Sequence, residues 1–123
     1  MKPRAFVLLL ASVTLAGCAT TQGAYNWGAY DELLYRSYKD VTKVEELRIG
    51  LETHIAALEK SNGRVPPGLY AELGTLYLEA GDSDRAIDMY RKERDAWPES
   101  RGLMDAMIAN LDRRRPRDEE SAQ

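Results

Sequence analysis

The stretch Pro67–Ser100, PGLYAELGTLYLEAGDSDRAIDMYRKERDAWPES, decides the fold. Leu69, Leu73, Leu76, Tyr77 and Ala80 recur at helical spacing and predict one apolar face. Gly81 closes that helix, and Asp82 or Ser83 can cap the next one. In the second helix Ala86, Ile87, Tyr90 and Trp97 face inward, and Pro98 stops it. Two helices joined by so short a turn must lie side by side as a hairpin. Gly74 and Ala86 are small, so the two backbones can approach. Tyr70, Tyr77 and Tyr90 then fill the angle between them.

The stretch spans 34 positions, and its pattern resembles one tetratricopeptide repeat. Tyr70, Leu73-Gly74, Tyr77, Gly81, Ala86, Tyr90 and Pro98 stand where that repeat has its aromatic, small and turn residues. One position departs: Glu93 replaces a second alanine, which predicts a wider or more solvated closing turn. A single repeat cannot bury both faces of its helices, so the flanking chain must supply the missing surface.

Working outward, Tyr30, Leu33, Leu34 and Tyr38 predict a helix over about 30–38. Val44, Leu47, Leu51, Ile55 and Leu58 predict another over 43–60, ended by a left-handed cap at Asn62-Gly63. These two are expected to form a degenerate, repeat-like hairpin. Beyond Pro98, Ser100 is a candidate cap for a fifth helix with Leu103, Met104, Met107, Ile108 and Leu111 as its stripe. No stretch alternates like a strand. The expected fold is all-α, antiparallel helical hairpins, about five helices, in one domain over residues 25–112. Residues 113–123, an arginine run followed by Asp118-Glu119-Glu120, are expected to form a disordered charged tail.

The N-terminal residues read as an address. Lys2 and Arg4, an apolar run from Ala5 to Leu15, and the small pair Ala16-Gly17 have the order of a secretory signal peptide over residues 1–17. The run is about half the ~20 residues a spanning helix needs. Leu15-Ala16-Gly17-Cys18 resembles a bacterial lipobox, which implies diacylglycerol on the Cys18 sulfur, cleavage before it, and an acyl chain such as palmitate on its amine. Cys18 is the only cysteine, so no internal disulfide is available and lipidation accounts for the thiol. Residues 18–24 then read as a lipidated flexible tether. Ala19 stands where related lipoproteins carry an aspartate for inner-membrane retention, which implies outer-membrane sorting.

Composition narrows the function classes. The formal charge is −3, and without Lys2 and Arg4 it becomes −5, 15 basic against 20 acidic residues. An acidic domain has no electrostatic reason to seek nucleic acid.

Tyr25-Asn26-Trp27-Gly28-Ala29-Tyr30, Leu34-Tyr35, Val65-Pro66-Pro67-Gly68-Leu69-Tyr70-Ala71, Gly81-Asp82, Ala86 and Trp97-Pro98-Glu99-Ser100 resemble the small bacterial lipoproteins of domain of unknown function 4810. That resemblance implies no catalytic activity. It implies encoding beside a CsgG-type outer-membrane lipoprotein and another small lipoprotein, hence a shared envelope assembly.

The chemistry-bearing residues are sparse. His54 is the only histidine; a metal or catalytic role needs converging partners, and the sequence offers neither a second histidine nor a nucleophile motif. Glu45-Glu46 and Glu119-Glu120 are adjacent pairs, which point apart on a helix and do not make a glycosidase dyad. The arginines near the C-terminus suit either phosphate head groups or the end of a helix dipole. Tyr25, Trp27, Tyr30, Tyr35 and Tyr38 read as core packing for the first helix, except that Tyr35 lies off the inward face and is a candidate partner contact. On the inner face of a tetratricopeptide-like hairpin, Ala71, Thr75, Leu78 and Glu79 are candidate partner-binding positions, equally suited to contacts with a neighbouring helix. Glu72 and Thr75 occupy the places of the basic and asparagine residues that clamp a carboxyl terminus in some such repeats, so capture of an acidic tail is not expected.

The expectation is a non-enzymatic adaptor, lipid-anchored on the periplasmic face of the outer membrane, with no metal and no cofactor beyond the lipid on Cys18. The alternative is an accessory activator of a peptidoglycan synthase, which the short tether disfavours. A cell-wall hydrolase is the third reading.

Overall fold

The computed structural model describes residues 23–114. The expected leader, Cys18 and most of the tether lie outside these residues, as does the tail beyond Arg114. Five α-helices account for most of the described chain: α1 (Tyr30–Lys39), α2 (Val44–Lys60), α3 (Leu69–Glu79), α4 (Ser83–Ala96) and α5 (Arg101–Arg114). Single 3-10 turns, Val41–Lys43 and Pro98–Ser100, follow α1 and α4. There is no strand among the described residues, and the all-α expectation holds. The fifth helix runs through Arg113 and Arg114, two residues past the expected domain end, with both cations in its last turn where they oppose the helix dipole.

Local chemistry sets the boundaries. The α2 C-terminus closes with Asn62 in the left-handed region (φ 54) and the Gly63 N–H donating to Leu58 O at 2.8 Å. Gly81 takes φ 85, which lets the α3–α4 link reverse direction in three residues. Asp82 caps α4, its side chain accepting from Arg85 N at 3.0 Å. Asp40 caps the unanticipated 3-10 turn by accepting from Thr42 N at 2.9 Å.

Each helix packs antiparallel on the next. Leu33 meets Gly50 and Arg36 meets Glu46 between α1 and α2. Tyr70 meets Glu59 between α3 and α2, and Arg94 meets Asp105 between α4 and α5. The tightest approach is α3 on α4: a Cβ on Gly74 would stand 2.7 Å from Tyr90 Cε1 and 3.2 Å from Ala86 O. Leu47, Leu51, Ile55, Leu69, Leu73, Ile87, Tyr90, Met104 and Ile108 form one continuous core.

The stack therefore has two poles. One collects residues 23–29, the α2–α3 link and the α4–α5 link. The other collects the α1–α2 turn, the α3–α4 turn and the end of α5.

Three expected inward residues are not inward, and one expected outward is buried. Tyr38 is 81% exposed, and Ser37 is buried in its place. Position 37 lies about 20° from Tyr30 around the helix, whereas position 38 lies about 80° away. Ala80 and Leu103 are also exposed, the latter at 64%. Ala80 is already the cap of α3, and the buried residues of α5 are Met104, Ile108 and Leu111. Glu93 overturns the expectation of a solvated turn: it is 1% exposed.

Candidate functional site

The first pole is a set of locks. The Glu93 Oε1 accepts from Gly68 N at 2.7 Å and from the Ser100 hydroxyl at 3.2 Å. One carboxylate thus joins α4 to the starts of α3 and α5. Ser100 spends its hydroxyl on Glu93 rather than on capping α5. Glu93 Oε2 and Trp97 Nε1 are buried without a hydrogen-bond partner among the described residues. Trp97 is held by Tyr25, edge-on at 5.5 Å, and by the Arg64 guanidinium at 4.0 Å. Glu59 accepts from Lys92 at 2.7 Å and from the Tyr70 hydroxyl at 2.8 Å. The Lys92 bond, aided by Tyr70, holds the Glu59 carboxyl below its ordinary range.

His54 belongs to this pole and is structural. Its Nε2 lies 2.8 Å from Asn26 O, and its ring fills the space beside Gly28. It pins residues 26–28 onto α2. Trp27 stacks on Tyr30 at 6.0 Å between ring centres, so of the aromatic segment Tyr25, Trp27 and Tyr30 are engaged in packing. Tyr35 is 61% exposed, as expected, with Lys39 Nζ 5.6 Å above its ring.

Of the adjacent carboxylate pairs, Glu119-Glu120 lies outside the described residues, and Glu45 and Glu46 are each taken up by cations. Glu45 pairs with Arg48, and Glu46 pairs with Lys43 and with Arg36 at 2.8 Å. Among the described residues no group of three His, Cys, Asp or Glu could hold a metal ion. No described helix is long and apolar enough to cross a membrane.

The second pole is open. Leu78 of α3 and Met107, Asn110, Leu111 and Arg114 of α5 line a cleft of about 130 Å³. Leu78 and Met107 are only partly buried there. Of the other positions expected to bind a partner, Glu79 is exposed beside this pole. Ala71 packs on the core. Thr75 bonds to Ala71 O at 3.0 Å and lies 3.2 Å from the Tyr90 hydroxyl, so its polar atom is engaged inside the hairpin. Tyr35, on α1, does not line the Leu78 cleft.

The α3 face also carries Glu72, which has no ion pair among the described residues. Burial, with Glu79 nearby, pushes the Glu72 carboxyl above its ordinary range. Sequence reasoning missed Met107 and Arg114 as cleft residues, because Met107 fits a core stripe equally well. It also missed the Glu93 lock, which only the departure from alanine signalled.

Fold and cleft define a small all-α domain of consecutively packed helical hairpins with one locked pole and one open pole. The chain belongs to the family described as Domain of unknown function (DUF4810), whose model matches residues 24–107. No curated protein and no solved structure matches it.

Proposed function

We propose that this protein is a lipid-anchored, non-catalytic adaptor, tetratricopeptide-like in design, held by acyl chains on Cys18 at the periplasmic face of the outer membrane. The observation that carries this reading is polarity. Residues 23–29, which lead back to Cys18, are fastened to one pole through His54, Tyr25 and Trp97. The partly exposed Leu78–Met107–Leu111 cleft lies at the other. A 14-residue helix such as α5 separates the poles by about 20 Å. An anchor at one end thus presents the cleft away from the bilayer, toward another envelope protein, with a CsgG-type lipoprotein or a second small lipoprotein as the candidate partners.

The mechanism is positional. The anchor raises the local concentration of the domain at the membrane, and the cleft and Tyr35 select the partner. Two or three acyl chains, at about 0.8 kcal/mol per buried methylene, hold where one would not. The test is a crosslinking pulldown from membranes that compares the intact protein with Leu78→Ala and Tyr35→Ala. Loss of a specific envelope protein with either variant supports the reading. Recovery of the same proteins by both removes the proposed surface, and an unmodified Cys18 thiol in the native protein removes the anchor.

A further inference from the structure

The locked pole leaves two polar atoms over. Glu93 and Trp97 stand one turn apart at the end of α4, at i and i+4, so their side chains start from the same side of the helix. The carboxylate is half used. Its Oε1 accepts from Gly68 N and from the Ser100 hydroxyl, whereas Oε2 has no partner among the described residues. The Trp97 indole Nε1–H has none there either. Both side chains are almost wholly buried, at 1% and 4% exposure. A buried donor or acceptor left unmade forfeits its hydration, and such atoms are few in folded proteins.

The chemistry of the pair narrows what can satisfy it. An ionised carboxylate oxygen only accepts and an indole N–H only donates, yet the two are not bonded to each other. Protonating Glu93 at Oε2 would add a donor that also lacks a partner. A metal ion could meet the carboxylate but cannot accept from an N–H. An anion could accept from the N–H but would meet a carboxylate. Arg64 lies against the Trp97 ring at 4.0 Å, and among the described residues no ion pair joins it to Glu93. The group required is small, donates to one atom and accepts from the other. One helical turn rises about 5.4 Å, which two hydrogen bonds of about 2.8 Å in series can span.

We propose that one structural water molecule bridges the two, donating to Glu93 Oε2 and accepting from Trp97 Nε1–H. Two protein partners suffice to hold a buried water. The bridge completes a line of contacts. Tyr25 holds Trp97 edge-on, the water joins Trp97 to the Glu93 carboxylate, and the carboxylate holds Gly68 at the start of α3 and Ser100 ahead of α5. The segment that leads into the domain is thereby coupled to the starts of two helices. None of this depends on the adaptor reading.

The test is water–protein cross-relaxation by NMR on the isotope-labelled whole chain in detergent, with the Trp97 indole proton assigned from Trp97→Phe. The expected result is a cross-peak between that proton and water, with the sign of a water that tumbles with the protein. Ser100→Ala should keep the peak, which excludes relay through the Ser100 hydroxyl. Glu93→Ala should abolish it, while the amides of α2 around Leu51 and Ile55 keep their shifts and so show an intact fold. If Glu93→Ala does not fold, the wild-type and Ser100→Ala spectra decide alone. A wild-type spectrum without the peak overturns the proposal, because the indole is then bonded to protein or left unpaired. Loss of the peak in Ser100→Ala overturns it too, since the signal then came from the hydroxyl. A peak that survives in folded Glu93→Ala puts the water on other partners and has the same effect.

Discussion

The backbone N–H of Gly68 donates to the Glu93 carboxylate at 2.7 Å, across 25 positions of chain. Gly68 immediately precedes α3, so the acceptor satisfies one of the amides a helix start leaves unpaired, and its negative charge suits the positive end of the helix dipole. The same oxygen takes the Ser100 hydroxyl ahead of α5. A residue that breaks the repeat pattern thus fastens three elements.

Removing that carboxylate should loosen the pole. Glu93→Ala loses a charge-assisted bond of about 1.5–3 kcal/mol, partly offset because Glu93 Oε2 no longer has to be buried without a protein partner. The expected net cost is about 1–2 kcal/mol, which for a domain of this size lowers Tm by roughly 4–16 °C. Thermal unfolding checks it. An unchanged Tm would mean that burying the carboxylate costs as much as its bonds return.

Gly74→Ala should also destabilise. Alanine is the better helix former by about 1 kcal/mol, but its Cβ would meet the Tyr90 ring at 2.7 Å and the Ala86 carbonyl at 3.2 Å. Overpacking typically costs about 1–3 kcal/mol, and Tyr90 is fully buried with nowhere to move. Gly50→Ala is the contrast, since its Cβ meets only the tip of the Leu33 side chain. It should cost less than Gly74→Ala in the same denaturant titration.

Glu72 supplies a pH dependence. Its carboxyl lies above the ordinary range through burial, with Glu79 adding to it. A raised carboxyl favours the folded state when protonated, and that contribution is lost as pH rises through and above the ordinary carboxylate range. Glu72→Gln should therefore raise Tm at neutral pH, with a gap that closes on acidification to about pH 3. A gap that widens toward acid would reverse the assignment.

Tyr35→Ala should leave stability within about 0.5 kcal/mol of wild type, because the ring is exposed, with Lys39 lying above it. Leu78→Ala removes a side chain packed on the core, so its unfolding curve must accompany any binding result. If Tyr35→Ala unfolded earlier than Leu78→Ala, the distinction between a free ring and a packed one would be wrong.

The sequence by itself determined the five helices, their short links and the α3–α4 hairpin. Each depends on local rules: apolar residues every three or four positions, a glycine or asparagine at a left-handed cap, a proline that cannot continue a helix. It also carried Gly74 and Ala86 as the close approach, because only small residues let two backbones meet. Only the tertiary structure decided which side of each helix was covered. Tyr38 and Leu103 fit an apolar stripe in one dimension but face solvent, since a stripe wider than the neighbouring helix leaves its edge uncovered. Glu93 read as the sign of a wider or more solvated turn, and it became a buried lock because Gly68, 25 positions away, and Ser100, beyond the end of α4, brought their donors to one point. The open cleft under Leu78 likewise arises from the ends of α3 and α5 meeting in space, a relation that no spacing along the chain encodes.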